Sequence, residues 1–153
     1  VVMNALTVNL HFLLISFYQP TSTRNKIMIE KGAFPSDQYA VESQIKLHGL
    51  DPKKCLIELT PKEGEKTLQT ENILQAIEDN SGELATILLG GVNYYTGQAF
   101  DMKTLTEAGQ KVGAFVGFDL AHAAGNLVLE LHDWNVDFAW SVRLHRKNVA
   151  ENL

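Results

Sequence analysis

Residues 113–126 read GAFVGFDLAHAAGN: an apolar run closes on Asp119, and His122 follows among small side chains. An acid carried at the end of a rigid strand, among apolar neighbours, can hold a protonated ring nitrogen through a charge-assisted hydrogen bond. Phe34, directly before Pro35 in KGAFPSD (31–37), offers a flat aromatic face for ring stacking. Thr7 stands just before an apolar helical stretch and can present its hydroxyl, with helix N-terminal amides, to a phosphate. Ring nitrogen, ring face and phosphate in one ligand describe pyridoxal phosphate, whose pyridinium partner is typically an Asp.

Each residue taken alone has a plainer role. An Asp at a strand end commonly forms a turn or caps a helix. His122 reads as a satisfied structural histidine, Thr7 as an N-cap and Phe34 as a hydrophobic staple. Tyr94 and Tyr95 read as packing and hydrogen bonding under a loop. The remaining histidines, His11, His48, His132 and His145, lack ligand spacing to any cysteine or carboxylate cluster, so no metal is expected. No Walker, GxGxxG or GxSxG motif is present.

The elements that must position these groups alternate along the chain. KIMIE (26–30), CLIEL (55–59), LATILL (84–89), AFVGF (114–118) and VDFAW (136–140) read as strands. Pro35 and Ser36 can open a helix through Leu47, with Glu42 and Lys46 paired on its wet face and Gly49 closing it. Thr70 can cap a helix whose apolar face carries Ile73, Leu74 and Ile77. Residues 101–113 are helical, packing through Met102, Leu105 and Gly109 and stopping at Gly113. The apolar N-terminal stretch, with Thr7 and His11 one turn apart and Val8, Phe12 and Ile15 on another face, reads as a mostly buried helix. It has no basic n-region, and its uninterrupted apolar run falls short of the ~20 residues of a membrane span.

Strands alternating with helices argue for an α/β domain with a largely parallel sheet. In open α/β sheets, ligands bind beyond the carboxyl ends of the strands. The segments KGAFPSD (31–37), GGVNYYTGQ (90–98) and DLAHAAGN (119–126) each follow a strand and would share that rim. The 153 residues, 45% hydrophobic and 20% charged, suit one globular domain. A net charge of -5 gives no electrostatic reason for a nucleic-acid partner. The lone Cys55, inside an apolar run, reads as a buried small hydrophobe in a reducing compartment.

In the order of its segments the chain resembles kynureninase, a fold-type-I pyridoxal-phosphate enzyme of the class V aminotransferase kind. The segments are MNALTVNLH (3–11), AFPSDQYAVESQIKLHG (33–49), YYTGQ (94–98), VGFDLAHAAGN (116–126) and LHDWNVDFA (131–139). The resemblance implies a three-layer α/β/α fold with a mostly parallel sheet. Residues 1–140 would be part of the large cofactor-binding domain, and 141–153 a divergent tail. It further implies hydrolytic cleavage of L-kynurenine, or its 3-hydroxy form, to an anthranilate and L-alanine, by a cytoplasmic homodimer with no nucleic-acid or membrane partner. Leu6 and Thr7 would hold the cofactor phosphate, Phe34 would stack on the ring, and Asp37 would lie beside it. Asp119 would pair with the ring nitrogen, and His122 would sit close by. Gly90 stands where some relatives place a serine, so that side-chain contact is lost.

The chain departs from this pattern after VDFA (136–139). The family continues to a Tyr-Lys pair whose lysine forms the Schiff base, whereas this chain reads WSVRLHRKNVAENL (140–153). The lysine's place falls on His145 or Leu144, and Lys147 comes late, beside Arg146. A shifted reading frame or an abnormal chain end would produce such a tail. No Schiff-base lysine is identified, and Lys147 is not expected to replace it, because that bond demands near-fixed placement over the ring. The chain alone is therefore expected to be inactive. Two alternatives remain: another class V enzyme, such as a cysteine desulfurase or aminotransferase, or a non-enzymatic truncated α/β fragment.

Overall fold

The computed structural model describes residues 4–141. Leu144, His145 and Lys147 lie outside the described residues, as does the tail from 142 onward. The apolar runs form strands β1 (Lys26–Glu30), β2 (Leu56–Leu59), β3 (Leu84–Gly90), β4 (Phe115–Asp119) and β5 (Phe138–Trp140). They make one sheet in the order β2-β1-β3-β4-β5, and every neighbouring pair is parallel. Near-continuous burial along β3 is what a parallel strand covered on both faces requires.

Helices α1 (Leu6–Phe17) and α2 (Pro35–Leu47) share one core with Ile27 and Ile29, while α4 (Thr70–Asp79) and α5 (Met102–Lys111) share the other with Met28. The period-two alternation of β1 thus feeds both layers, giving the three-layer arrangement. Proline at the first position of α2 and Gly49 at positive φ after it set that helix's limits as anticipated. The Lys46–Glu42 pair forms at 3.7 Å, and Gly113 ends the α5 segment at positive φ.

Several local expectations are corrected. A short helix, α3 (Pro52–Cys55), begins at Pro52 with Asp51 accepting from the Lys53 amide at 3.0 Å, so β2 starts at Leu56. The last strand shortens to Phe138–Trp140 because Asp137 spends its carboxylate on the Val116 amide, at 2.8 Å. Thr70 is the first residue of α4 rather than its cap, which is Gln69. Thr7 likewise lies inside the first turn of α1, whose N-cap is Ala5.

Helix α1 also packs on a different stripe from the one expected. Leu10 and Leu14 are buried against the sheet, whereas Val8, Phe12 and Ile15 face outward, Phe12 being 57% exposed. With apolar residues on more than one face of α1, the sequence gives no signal for its inner face. Phe17 decides the seating by stacking on Phe138, with ring centroids 4.6 Å apart.

Two glycines bring the layers together. A Cβ at Gly117 would lie 2.1 Å from the Phe138 ring, and one at Gly109 would lie 2.4 Å from Val116 Cγ2 and 2.8 Å from Ile87 Cδ1. In an ordinary helix, replacing glycine by alanine stabilises by up to about 1 kcal/mol. At Gly109 the overpacking term wins, and Gly109→Ala is expected to destabilise by ~1–3 kcal/mol. Gly82, with open space around its Cβ position, supplies the control. Urea unfolding of the two variants side by side checks the difference in sign.

Candidate functional site

Parallel strands place their carboxyl ends on one edge of the sheet. Glu30 ends β1, Gly90 ends β3, Asp119 ends β4 and Trp140 ends β5, and Gly90 and Trp140 flank Asp119 in register. The N-termini of α1 and α2 reach the same edge, and a cavity of about 520 Å3 opens there. All six residues singled out from the sequence, Leu6, Thr7, Phe34, Asp37, Asp119 and His122, line it.

The start of α1 leaves its first amides without a capping side chain, whereas at α2 Pro35 has no N–H and the Asp37 amide is spent on the Phe34 carbonyl. Neither Ala5 at the start of α1 nor Phe34 at the start of α2 makes a side-chain cap, and the first turn of α1 holds no acid. Free amides at such ends, with the positive pole of the helix dipole, form an anion site. Ala5, Leu6 and Thr7 bring the α1 end to the cavity wall. Phe34 is 46% exposed at that wall, and Tyr94 meets it edge-on with ring centroids 5.3 Å apart. Tyr94 thus does more than pack under a loop, because it steadies an aromatic surface beside the cavity.

The opposite pole is acidic. Asp119 Oδ1 accepts the Ala121 amide at 2.8 Å, and the Asp119 carbonyl accepts the Gly91 amide at 2.7 Å, so the residue is fixed at the strand end. Asp37, buried in the first turn of α2, hydrogen-bonds to the Asp119 carboxyl. The Ser36 hydroxyl donates to Asp37 Oδ1 at 3.3 Å. Glu30, which sequence reasoning missed, is 4% exposed and accepts from the Gly90 amide at 2.7 Å and from Asn93 Nδ2 at 2.5 Å. At Gly90 a Cβ would stand 3.1 Å from Glu30 Oε1 and 3.2 Å from the Val92 carbonyl, so the missing side chain leaves room for this contact. In sequence, Glu30 looked like the polar end of KIMIE, and its partners lie far along the chain. Among the described residues the ion pairs are Lys26–Glu83 and Lys46–Glu42, and neither contributes a group to the cavity.

Burial is the first cause that pushes the Asp37 carboxyl up to about 7, followed by the charge of Asp119 and the hydrogen bond to it. Burial also raises Asp119, but the Ala121 amide, the bond from Asp37 and the charge of His122 hold it down. The two carboxyls therefore share a proton, the hydrogen bond between them raising Asp37 and lowering Asp119. The folded chain binds that proton where the unfolded chain has already lost it, above the ordinary value of 3.8. Its stabilising contribution is accordingly present at low pH and is lost as pH rises through about 7. Asp37→Asn retains a donor toward Asp119 and removes the titration. Urea midpoints at about pH 5 and about pH 8 are expected to fall more steeply in the parent than in the variant, the difference in slope staying under ~1.4 kcal/mol per pH unit.

No family model matches the chain. Kynureninase from Flavobacterium psychrophilum is 63% identical over 138 residues, covering 90% of this chain and 32% of that protein. The Nematostella vectensis kynureninase is 60% identical, with 91% and 30% covered, and that of Rattus norvegicus 58%, with 90% and 30%. Among solved structures, a cysteine desulfurase from Thermococcus onnurineus superposes with TM-score 0.69 at 16% identity, covering 89% of this chain and 32% of that one. Ureidoglycine-glyoxylate aminotransferase from Bacillus subtilis does so with TM-score 0.66 at 16% identity, covering 88% and 32%. These two likenesses show the fold, a parallel-sheet α/β arrangement common to such enzymes. The chain spans about a third of the length of the kynureninases it matches, and over 90% of its own length it is similar to them.

Proposed function

We propose that this chain forms part of the large cofactor-binding domain of a kynureninase-like hydrolase, with residues 1–140 as that part and 141–153 as a divergent tail. The reading takes L-kynurenine or 3-hydroxykynurenine as substrate and an anthranilate with L-alanine as products. It includes a homodimer in the cytoplasm without nucleic-acid or membrane partners. The observation that carries it is one cavity with an uncapped helix end at α1, an aromatic wall at Phe34 and a half-buried carboxyl pole at Asp119. The buried Cys55, the one free cysteine, agrees with a reducing compartment.

Pyridoxal phosphate fits these poles, because its phosphate and its ring nitrogen lie at different corners of one flat ring. When bound, it supplies an electron sink for bond cleavage in the substrate. The chain's own residues supply position and charge. The Leu6 and Thr7 amides and the Thr7 hydroxyl would hold the phosphate. Phe34 would lie against the ring. Asp119 would accept a hydrogen bond from the ring nitrogen and keep the proton there. Asp37 would steady Asp119 from behind, and His122 would add positive charge beside it. The sequence places no lysine where the family anchors its cofactor, so these contacts bind without a covalent tie.

A cysteine desulfurase or aminotransferase shares the fold, but those likenesses stand at 16% identity against 57–63% for kynureninases. Purified chain titrated with pyridoxal phosphate is expected to bind it weakly, and Asp119→Ala to weaken that binding about tenfold or more, the loss of one charge-assisted hydrogen bond. Absorbance titration measures both. Borohydride reduction followed by peptide mapping is expected to give no single stoichiometric adduct, and kynurenine to yield no anthranilate. An adduct confined to Lys147 together with anthranilate release would overturn the assignment of the tail. Equal affinity in Asp119→Ala would overturn the cofactor site.

A further inference from the structure

We infer that Glu30 is a positioning residue: it pins the loop after β3 through Asn93 and so sets the aromatic wall of the cavity. The carboxylate is divided between two tasks. Oε1 takes the Gly90 amide at the end of β3, and Oε2 takes Asn93 Nδ2 at the start of the loop. Fixing that amide turns Asn93 Oδ1 toward the loop interior. There it accepts from the Tyr95 amide at 3.0 Å, the Thr96 amide at 2.8 Å and the Thr96 hydroxyl at 3.1 Å.

The turn held in this way carries Tyr94, whose ring meets Phe34 edge-on. The far end of the loop is tied separately, the Gln98 side chain bonding to the Leu68 backbone. Glu30, Asn93 and Tyr94 also line a second cavity of about 350 Å3, so these three residues are shared by both spaces. A buried carboxyl with two directed acceptors is suited to this because a glutamine in its place would offer only one.

The inference has a part that needs no cofactor and a part that rests on the cofactor reading above. In the ligand-free chain, Glu30→Gln sets an amide NH2 against either the Gly90 N–H or the Asn93 NH2. Amide hydrogen exchange at Tyr95 and Thr96, followed by NMR, is expected to quicken at least fivefold. The double variant Glu30→Gln with Asn93→Asp reverses the donor and acceptor and keeps the net charge, and it is expected to restore slow exchange. Asn93→Ala, which leaves Glu30 on Gly90, is expected to loosen the same amides. Pyridoxal phosphate affinity should fall at least fivefold in Glu30→Gln and recover in the double variant. Unchanged exchange in Glu30→Gln, or a double variant that fails to recover, overturns the pinning role. Altered exchange with unchanged affinity overturns the link to the cavity wall. A parent chain that binds no pyridoxal phosphate defeats the cofactor reading and leaves the exchange result to decide the pinning role.

Discussion

Glu30 and Asp37 are buried and Asp119 is half-buried at one cavity, and the charge they would carry together is the constraint around which the surrounding chain is arranged. An unpaired buried carboxylate costs several kcal/mol, so each must be given donors or a proton. Asp119 receives the Ala121 amide and the influence of His122; Glu30 receives Gly90 and Asn93; Asp37 and Asp119 share a proton. None of these donors comes from a lysine or arginine among the described residues. The pole thus stays short of positive charge, which suits it to a cationic or proton-bearing ligand.

The parallel sheet is what makes this concentration possible. Strands running the same way deliver their final residues to one rim, and the register places Gly90 and Trp140 on either side of Asp119. Close packing then fixes the distance between layers. Gly117 admits the Phe138 ring, Phe138 stacks on Phe17, and Phe17 closes the last turn of α1. The opposite end of α1, with its uncapped amides, comes to the cavity as a consequence. The anion pole therefore depends on aromatic packing at the far end of the same helix.

Much of this was legible in the sequence where one local rule decides the outcome. Continuous apolar runs marked the five strands, and Pro35 with Gly49 marked both ends of α2. That the six candidate residues would share one rim was legible because strand order and the carboxyl-end rule place them together without any side-chain detail. What was not legible depended on contacts distant in the chain. Which stripe of α1 faces inward was decided by Leu10 and Leu14 against the sheet and by Phe17 on Phe138. Thr7 and Thr70 resembled caps, but the preceding backbone had already turned into the helix entry at Ala5 and Gln69. Glu30 closes a strand like any polar residue, and only its encounter with Gly90 and Asn93, some 60 residues on, makes it structural.

The same distinction separates the two kinds of group at the cavity. Thr7, Phe34 and Asp119 face the space directly, and their residue types announce a ligand. Glu30 and Asn93 act through backbone amides and a neighbouring loop, so their types announce nothing. Yet the direct groups are effective only while their geometry is held within a fraction of an ångström. Phe34 has an exposed ring at the N-cap of a helix, and a ring so placed would otherwise sample several rotamers. The edge of Tyr94 removes that freedom, the Asn93 turn carries Tyr94, and the buried carboxylate orients Asn93. A charge that burdens the folded chain is thereby converted into order at an aromatic surface a ring-shaped ligand would meet.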